Sequence, residues 1–313
     1  MLLVAVGASA AGLWVTRTPG AVRPDPAGTA LAAAARQAPP AFDSARAWEH
    51  LKQIVAIGPR PSGSPALRQT RAYITRQIAA LGLTVLEQPF TAQTPKGPIE
   101  MVNLIVRLPG RRPDRLLVTG HYDTKLFTDQ RFVGASDGGS STAVLLELAR
   151  TLKDRPRDLT FELVFFDGEE AVVEWGPWEG PDHAYGSRRY VAEARRAGAL
   201  GQVKAMVLVD MVGDRDLGIR RESRSTRWLT DIIWDTAKRL GHGGYFLDAE
   251  TEIQDDHWAF LDANVPAVDI IDLDYPQWHT PQDDLQAVSA RSLQIVGEVV
   301  LAALPDIDRR LAR

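Results

Sequence analysis

The sequence predicts an α/β protein: a single-domain three-layer sandwich with a mixed, mostly parallel central sheet flanked by helices. Two observations carry that prediction. From about residue 42 onward, short apolar runs of strand length alternate with amphipathic stretches of helix length, and no internal repeat interrupts them. At 313 residues the chain is also long enough to bury such a sheet on both faces, and its hydrophobic fraction of 45% is that of a soluble globular protein.

In chain order, residues 2–15 are an uncharged apolar run, followed by Arg17 and a Pro/Ala-rich stretch to Pro40. The run is too short for a spanning helix and has the length of a signal-peptide core. Residues 1–16 are therefore expected to be a signal peptide or membrane anchor, 17–40 a flexible linker, and 41–313 the catalytic domain. The protein is expected to be exported: periplasmic, secreted or anchored through that segment. A disordered apolar tail is the duller alternative. Within the domain, Ser64 and Pro65 open a helix that ends at Leu81, with Gly82 just beyond it. Strands are expected at 103–108, 115–119, 159–166, 205–209 and 267–271, and further helices at 141–152, 187–196, 226–240 and 287–301.

Composition excludes several functions. There is no cysteine, so disulfides, thiolate catalysis and thiolate-bound zinc are ruled out, and any metal must be held by His and carboxylates. A net charge of −4 with scattered Lys and Arg offers nothing to nucleic acid. No heptad pattern is present, so a monomer is expected.

The residues just beyond the strands carry the chemistry. His121-Tyr122-Asp123, Asp167-Gly168-Glu169-Glu170, Asp210 and the segment 272–279 each follow a predicted strand. In an open parallel sheet, ligand sites gather beyond the strands' C-terminal ends. A catalytic zinc takes about three N/O ligands and keeps one position open. The available donors are His121, Asp137, Glu170, Asp210 and His279. Of the adjacent Glu169 and Glu170, one can bind metal while the other moves protons beside it. Singly, each has a duller reading: a solvated Glu-Glu turn, a helix-capping Asp137, a packed loop His279. Their convergence on one sheet edge argues against all of these together. His50, His183 and His242 lack a partner at metal spacing and read as surface or structural residues, and His257 as packing beneath the site.

The ordered set His121 with Asp123, Asp137, Glu169-Glu170, Asp210 and His279-Thr280 resembles the zinc aminopeptidases of metallopeptidase family 28. Within that family it is most similar to the glutaminyl-peptide cyclotransferases. The resemblance is strong from His121 to Leu285. Its cyclase-like features are Phe165 to Ala171 with Trp175 and Tyr185-Gly186-Ser187-Arg188, then Ile253-Gln254-Asp255-Asp256-His257, Trp278 before His279, and Phe132 to Asp137. The loop from Trp175 to Ala184 is longer than in animal enzymes, and the disulfide of some relatives is impossible here.

The resemblance implies cyclisation of an N-terminal glutamine of peptides or proteins to pyroglutamate, with loss of ammonia. It implies zinc on Asp137, Glu170 and His279, Glu169 as general base, Asp255 hydrogen-bonded to Asp210 as a catalytic pair, and Trp175, Trp278 and Tyr275 in the substrate pocket. The alternative is an aminopeptidase holding two zinc ions rather than one, with His121 and Asp210 on the second. A non-catalytic ectodomain is the remote alternative; it predicts a lost ligand or base, and none is lost.

Overall fold

The structure, a computed structural model, describes Leu2, residues 40–180 and residues 182–313. The expected signal or anchor segment and linker fall outside these residues, Leu2 and Pro40 apart. No helix of the described residues is long and apolar enough to cross a membrane.

Asp43 begins helix α1 (Ser44–Ile57) by accepting the amide hydrogens of Ala45 and Arg46. Ser64 does the same for α2 (Pro65–Ala80), with Pro65 in the first turn where its missing N–H costs nothing. Strands β1 (Val85–Thr94) and β2 (Gly97–Leu108) form an antiparallel hairpin whose turn uses Gly97 at φ 98°. Then follow β3 (Arg112–His121), α3 (Ser141–Leu152), β4 (Leu159–Phe166), α4 (Tyr185–Arg196) and β5 (Val203–Asp210). The chain closes with β6 (Ile219–Glu222), α5 (Arg227–Arg239), β7 (Phe246–Thr251), α6 (His257–Leu261), β8 (Ala267–Ile271) and α7 (Ala290–Leu311).

The main sheet has the order β1-β2-β4-β3-β5-β8. Strands β4, β3, β5 and β8 pair in parallel, and β1 and β2 join antiparallel at one side. Strand alternation divides the core. Leu116, Val118, Val207 and Val209 point into one layer with α1, α2, α3, α5 and α7, whereas Leu117, Met206 and Leu208 point into the other with α4 and α6. Each such fully buried aliphatic side chain contributes about 1.5–3 kcal/mol, so the two layers lock the sheet. All four parallel strands then end on the same side.

The outer side of β8 does not meet another strand of the main sheet. Ala267 N–H donates to Thr226 Oγ1 (3.1 Å), Asp269 N–H to Ser225 Oγ (3.1 Å), and Thr226 N–H returns a bond to Ala267 O (2.7 Å).

Several elements depart from the sequence expectations. Helices α1 and α6, β1, and the small parallel sheet of β6 and β7 have no counterpart among them. Strand β2 begins six residues earlier than expected. Helix α7 starts at Ala290, capped by Ser289, and continues through Pro305 to Leu311 because Leu304 and Ile307 on its far side are buried in the core. Packing there outweighs the broken helical bond at proline.

Candidate active site and metal centre

Three of the candidate ligands sit at or just beyond the end of a strand. His121 is the last residue of β3 and Asp210 the last of β5, while Glu169 and Glu170 follow β4 by a few residues. Asp137 lies in an irregular turn, Ala135–Ser140, where it is extended (φ −78°, ψ 104°) between helical residues. The next residue must be glycine: Gly138 has φ 74°, and a Cβ there would come within 2.5 Å of Asp123 O. His279 follows β8 in a turn and adopts φ 55°, a left-handed conformation rarely used by non-glycine residues.

Two buried residues hold the Asp137 turn from below. The Asp283 carboxylate accepts the N–H groups of Ser136 (2.7 Å) and Asp137 (3.2 Å). The fully buried Arg60 guanidinium donates to the carbonyls of Tyr122, Val133 and Gly134. The turn is thus fixed by its amides on one side and its carbonyls on the other. Neither Arg60 nor Asp283 was singled out in the sequence, because a buried polar residue leaves no periodic signal.

The donors form two groups sharing Asp137. His279 Nε2 lies 3.2 Å from Glu170 Oε1 and 3.4 Å from Asp137 Oδ2. His121 Nε2 lies 3.0 Å from Asp210 Oδ1 and 3.2 Å from Asp137 Oδ1. In each trio, Asp137–Glu170–His279 and His121–Asp137–Asp210, the donor atoms all lie within 4.8 Å of one another. Asp123 organises the surroundings: its carboxylate accepts from Glu169 N–H (3.3 Å) and Glu170 N–H (3.4 Å) and faces His121 Nδ1 at 3.5 Å. Lys125 N–H donates to Glu170 Oε1 (3.1 Å), and Phe127 and Phe132 pack edge-on to His279.

The electrostatics favour a cation. Burial pushes Glu170 up to about 7, with Asp137 adding to the rise, and pushes Glu169 well above the carboxylate range. Burial also raises Asp255 strongly, with Asp210 and Asp256 beside it. Burial alone would lower His279, but its hydrogen bonds to Asp137 and Glu170 hold it up at about 10. The imidazolium thus takes a cation's place between the two carboxylates. Oxygen and imidazole donors, buried and converging with one side open to a cleft, suit a zinc ion better than a hard, oxygen-only cation site.

That cleft, about 310 Å³, is lined by Asp137, Glu169, Glu170, Trp175, Asp210, Asp255, Trp278 and His279 together with Met211, Glu252, Ile253, Gln254, Ile271 and Leu273. Trp278 stacks on His279 (centroids 4.3 Å apart) and is 45% exposed. Trp175 stacks on the buried His183, also at 4.3 Å. The loop carrying Trp175 is fixed by Asp182, which accepts from Val172, Val173 and Glu174 N–H and from Tyr185 OH.

One sequence expectation needs correction. Tyr275 does not line the cleft; it is 3% exposed among Met211, Ile253 and Ile271, and its hydroxyl donates to Asp283 (2.7 Å). The aromatic ring belongs to the support of the Asp137 turn, because a phenol buried there needs an acceptor and Asp283 supplies one. Asp255 Oδ1 accepts from Asp256 N–H, Oδ2 meets no N–H or O–H donor, and Asp210 Oδ1 accepts from Met211 N–H. Two carboxylates bond to each other only through a proton, and the strong rise of Asp255 beside Asp210 favours one there. His50, His242 and His257 bond to Tyr73 OH, Glu298 and Glu222, away from the metal donors.

The profile of peptidase family M28 matches residues 103–304 of the chain. The chain is 31% identical over 274 residues to the mouse (Mus musculus) glutaminyl-peptide cyclotransferase-like protein, covering 77% of this chain and 70% of that one. It superimposes on the crystal structure of Acidobacteriales bacterium glutaminyl cyclase with a TM-score of 0.82 and 38% identity, over 88% of this chain and 98% of that one. It also matches a Zn-dependent exopeptidase from Parabacteroides distasonis, with TM-score 0.77 and 26% identity over 86% of this chain and 100% of that one.

Proposed function

The chain belongs to peptidase family M28, on the side of its glutaminyl-peptide cyclotransferase relatives, and from that premise we propose that it cyclises the N-terminal glutamine of peptides to pyroglutamate with release of ammonia. The observation that carries this reading is the cleft itself, where the trio Asp137–Glu170–His279 shares its walls with Glu169, Asp255 and two tryptophans.

Asp137, Glu170 and His279 would hold the zinc ion, which when bound would supply Lewis-acid polarisation of the glutamine side-chain carbonyl. Glu169, whose buried carboxylate binds a proton readily, takes one from the substrate α-amine as that nitrogen attacks the side-chain amide carbon. A C–N bond closes the five-membered ring. Glu169 then returns the proton to the amide nitrogen, the second C–N bond breaks, and neutral ammonia leaves. Asp255, which lines the cleft, accepts a hydrogen bond from the departing nitrogen. Trp175 and Trp278 hold the folded side chain in its attacking geometry and limit water, which would divert the reaction to hydrolysis. Residues 1–16 are read as an export or anchoring segment, on the strength of their apolar composition.

A second reading has its own support. His121, Asp210 and the shared Asp137 suit a second ion, and a two-zinc aminopeptidase would use Glu169 to activate water. The two tryptophans and Asp255 around the cleft favour the cyclase.

The test pairs two assays on one zinc-loaded preparation. Gln-initiated dipeptides are followed for ammonia, and leucine and alanine anilides for hydrolysis, with zinc counted per chain. Ammonia release without anilide hydrolysis, near one zinc per chain, is the expected result; anilide hydrolysis near two zincs overturns it. In the same assay Glu169→Gln is expected to lose about 10²–10⁴-fold in kcat while keeping its zinc.

A further inference from the structure

The small β6–β7 sheet supplies no metal donor, yet its residue Glu222 reaches beneath the cleft wall. Its side chain is 3% exposed and accepts five hydrogen bonds. Oε1 takes Arg224 N–H (3.0 Å) and Ile253 N–H (3.5 Å), while Oε2 takes Ser225 N–H (2.6 Å), Ser225 OH (2.9 Å) and the His257 ring at Nε2 (3.0 Å). Burial keeps His257 below its ordinary value, so the ring is neutral and donates its Nε2 hydrogen to this carboxylate.

The positions of these partners matter. Ile253 and His257 stand at the two ends of one short segment, and between them lie Gln254 and Asp255, which line the cleft. Asp255 has almost no anchor of its own: one oxygen accepts only the neighbouring Asp256 N–H, and the other has no partner. Its direction is therefore set by the backbone that carries it. That backbone is held at both ends by one carboxylate. The same carboxylate reaches the main sheet, because the Ser225 hydroxyl that donates to it accepts Asp269 N–H from β8 (3.1 Å). The register Glu222↔Thr251 and the bond from Ser223 N–H to Thr251 O (2.8 Å) fix the approach to the segment from β7.

We propose that Glu222 is a positioning residue for the reaction, a clamp across residues 253–257 that aims Asp255 and Gln254 into the cleft. The proposal rests on the cyclase reading, since its effect passes through Asp255. A carboxylate is required because every group facing it is a donor. An amide would turn two hydrogens toward N–H and O–H partners and leave at least one of them unsatisfied in a buried site. A displacement of about 1 Å in a reacting group costs on the order of 100-fold in rate, so a small shift of the segment is enough to be measured.

The test uses the full chain loaded with zinc. Glu222→Gln, Asp255→Asn and the combined variant are compared for kcat, KM, zinc content and Tm with a Gln-initiated dipeptide. Glu222→Gln is expected to lose about 10–100-fold in kcat, with KM and zinc content near wild type. In the Asp255→Asn background it is expected to add almost nothing, because both changes act on the same group. A folded, zinc-loaded Glu222→Gln with wild-type kcat overturns the proposal, as does a loss that multiplies with that of Asp255→Asn. A purely structural role would lower Tm and leave kcat per folded molecule unchanged. If Glu222→Gln does not fold, His257→Phe, which removes the ring's hydrogen bond to Glu222, must show the same kcat loss and the same non-additivity. Full activity in Asp255→Asn would instead remove Asp255 from the chemistry, a failure of the cyclase reading that takes the clamp's purpose with it.

Discussion

Replacing Arg60 by methionine tests how the metal-bearing turn is held, and its cost can be worked from the bonds it breaks. The guanidinium satisfies the carbonyls of Tyr122, Val133 and Gly134 at a site with no access to solvent. Gly134 O keeps a second donor, Gly139 N–H (3.2 Å), so two carbonyls are left without one; at about 1–3 kcal/mol each, they cost roughly 4 kcal/mol at mid-range. Against this, burial draws Arg60 down to about 10 despite Asp137, Asp123 and Asp283 nearby, a cost to the charged form of roughly 3 kcal/mol that methionine does not carry. The net loss for Arg60→Met is about 1 kcal/mol, or about 2–4 °C in Tm for a domain of this size. Thermal unfolding of the zinc-free protein, followed by circular dichroism and by intrinsic fluorescence, measures it. A shift of less than about 1 °C would refute the reasoning, because it would mean that water or a rearranged turn satisfies those carbonyls at no cost.

Three further outcomes are expected. Asp283→Asn removes the carboxylate that receives the Ser136 and Asp137 amides, and should weaken zinc binding about 10–100-fold, with activity recovered at saturating zinc; unchanged zinc affinity in a competition titration would contradict it. Trp278→Ala should lower kcat/KM for Gln-dipeptides about tenfold with zinc content intact, since a truncated pocket aromatic forfeits about 1–3 kcal/mol of contact; loss of zinc in place of substrate affinity would assign the ring to His279. In the metal-free protein His279 is held at about 10, so below that pH a metal must displace its proton. Apparent zinc affinity should therefore rise by about tenfold for each pH unit above about pH 7, with a proton released on uptake, and more steeply below about 7, where Glu170 also gives up a proton. Calorimetry in buffers of different ionisation heat reads that proton directly, and a pH-independent affinity would rule the exchange out.

The ligand set was legible because it depends on strand ends, and strand ends are where apolar runs stop. His121, Glu170 and Asp210 each followed such a run by a residue or a few and His279 by a longer turn, and the parallel order of β4, β3, β5 and β8 gathers them on one side. The supports were not legible. Arg60, Asp182, Glu222 and Asp283 are polar residues in stretches without periodicity, and only the tertiary hydrogen bonds reveal why they are buried. Strand β1 was hidden by its own chemistry, because Gln88 and Pro89 break the run and only Phe90 and Ala92 of its ten residues are buried apolar positions. The short β6 and β7, mostly polar, lack the length that marks a strand. Tyr275 misled for a simpler reason. Its residue type suits a pocket wall, but the turn after β8 directs the ring inward to Asp283.

The two outer strands of the sheet are guarded in different ways, and this bears on how the chain behaves in crowded solution. An open strand edge is a template on which a second polypeptide can add, and long flat edges are sites of self-association. Strand β1 carries Pro89, which offers no amide hydrogen, and an exposed Glu87, which repels its own copy at an antiparallel seam. At the opposite side, the hydroxyls of Ser225 and Thr226 occupy the β8 amides of Asp269 and Ala267 that an incoming strand would need. Neither margin can be extended by simple strand addition. A sheet rich in aliphatic residues can therefore stay dispersed without disulfides, and substitutions such as Pro89→Val would be felt first as aggregation, before any change at the catalytic cleft.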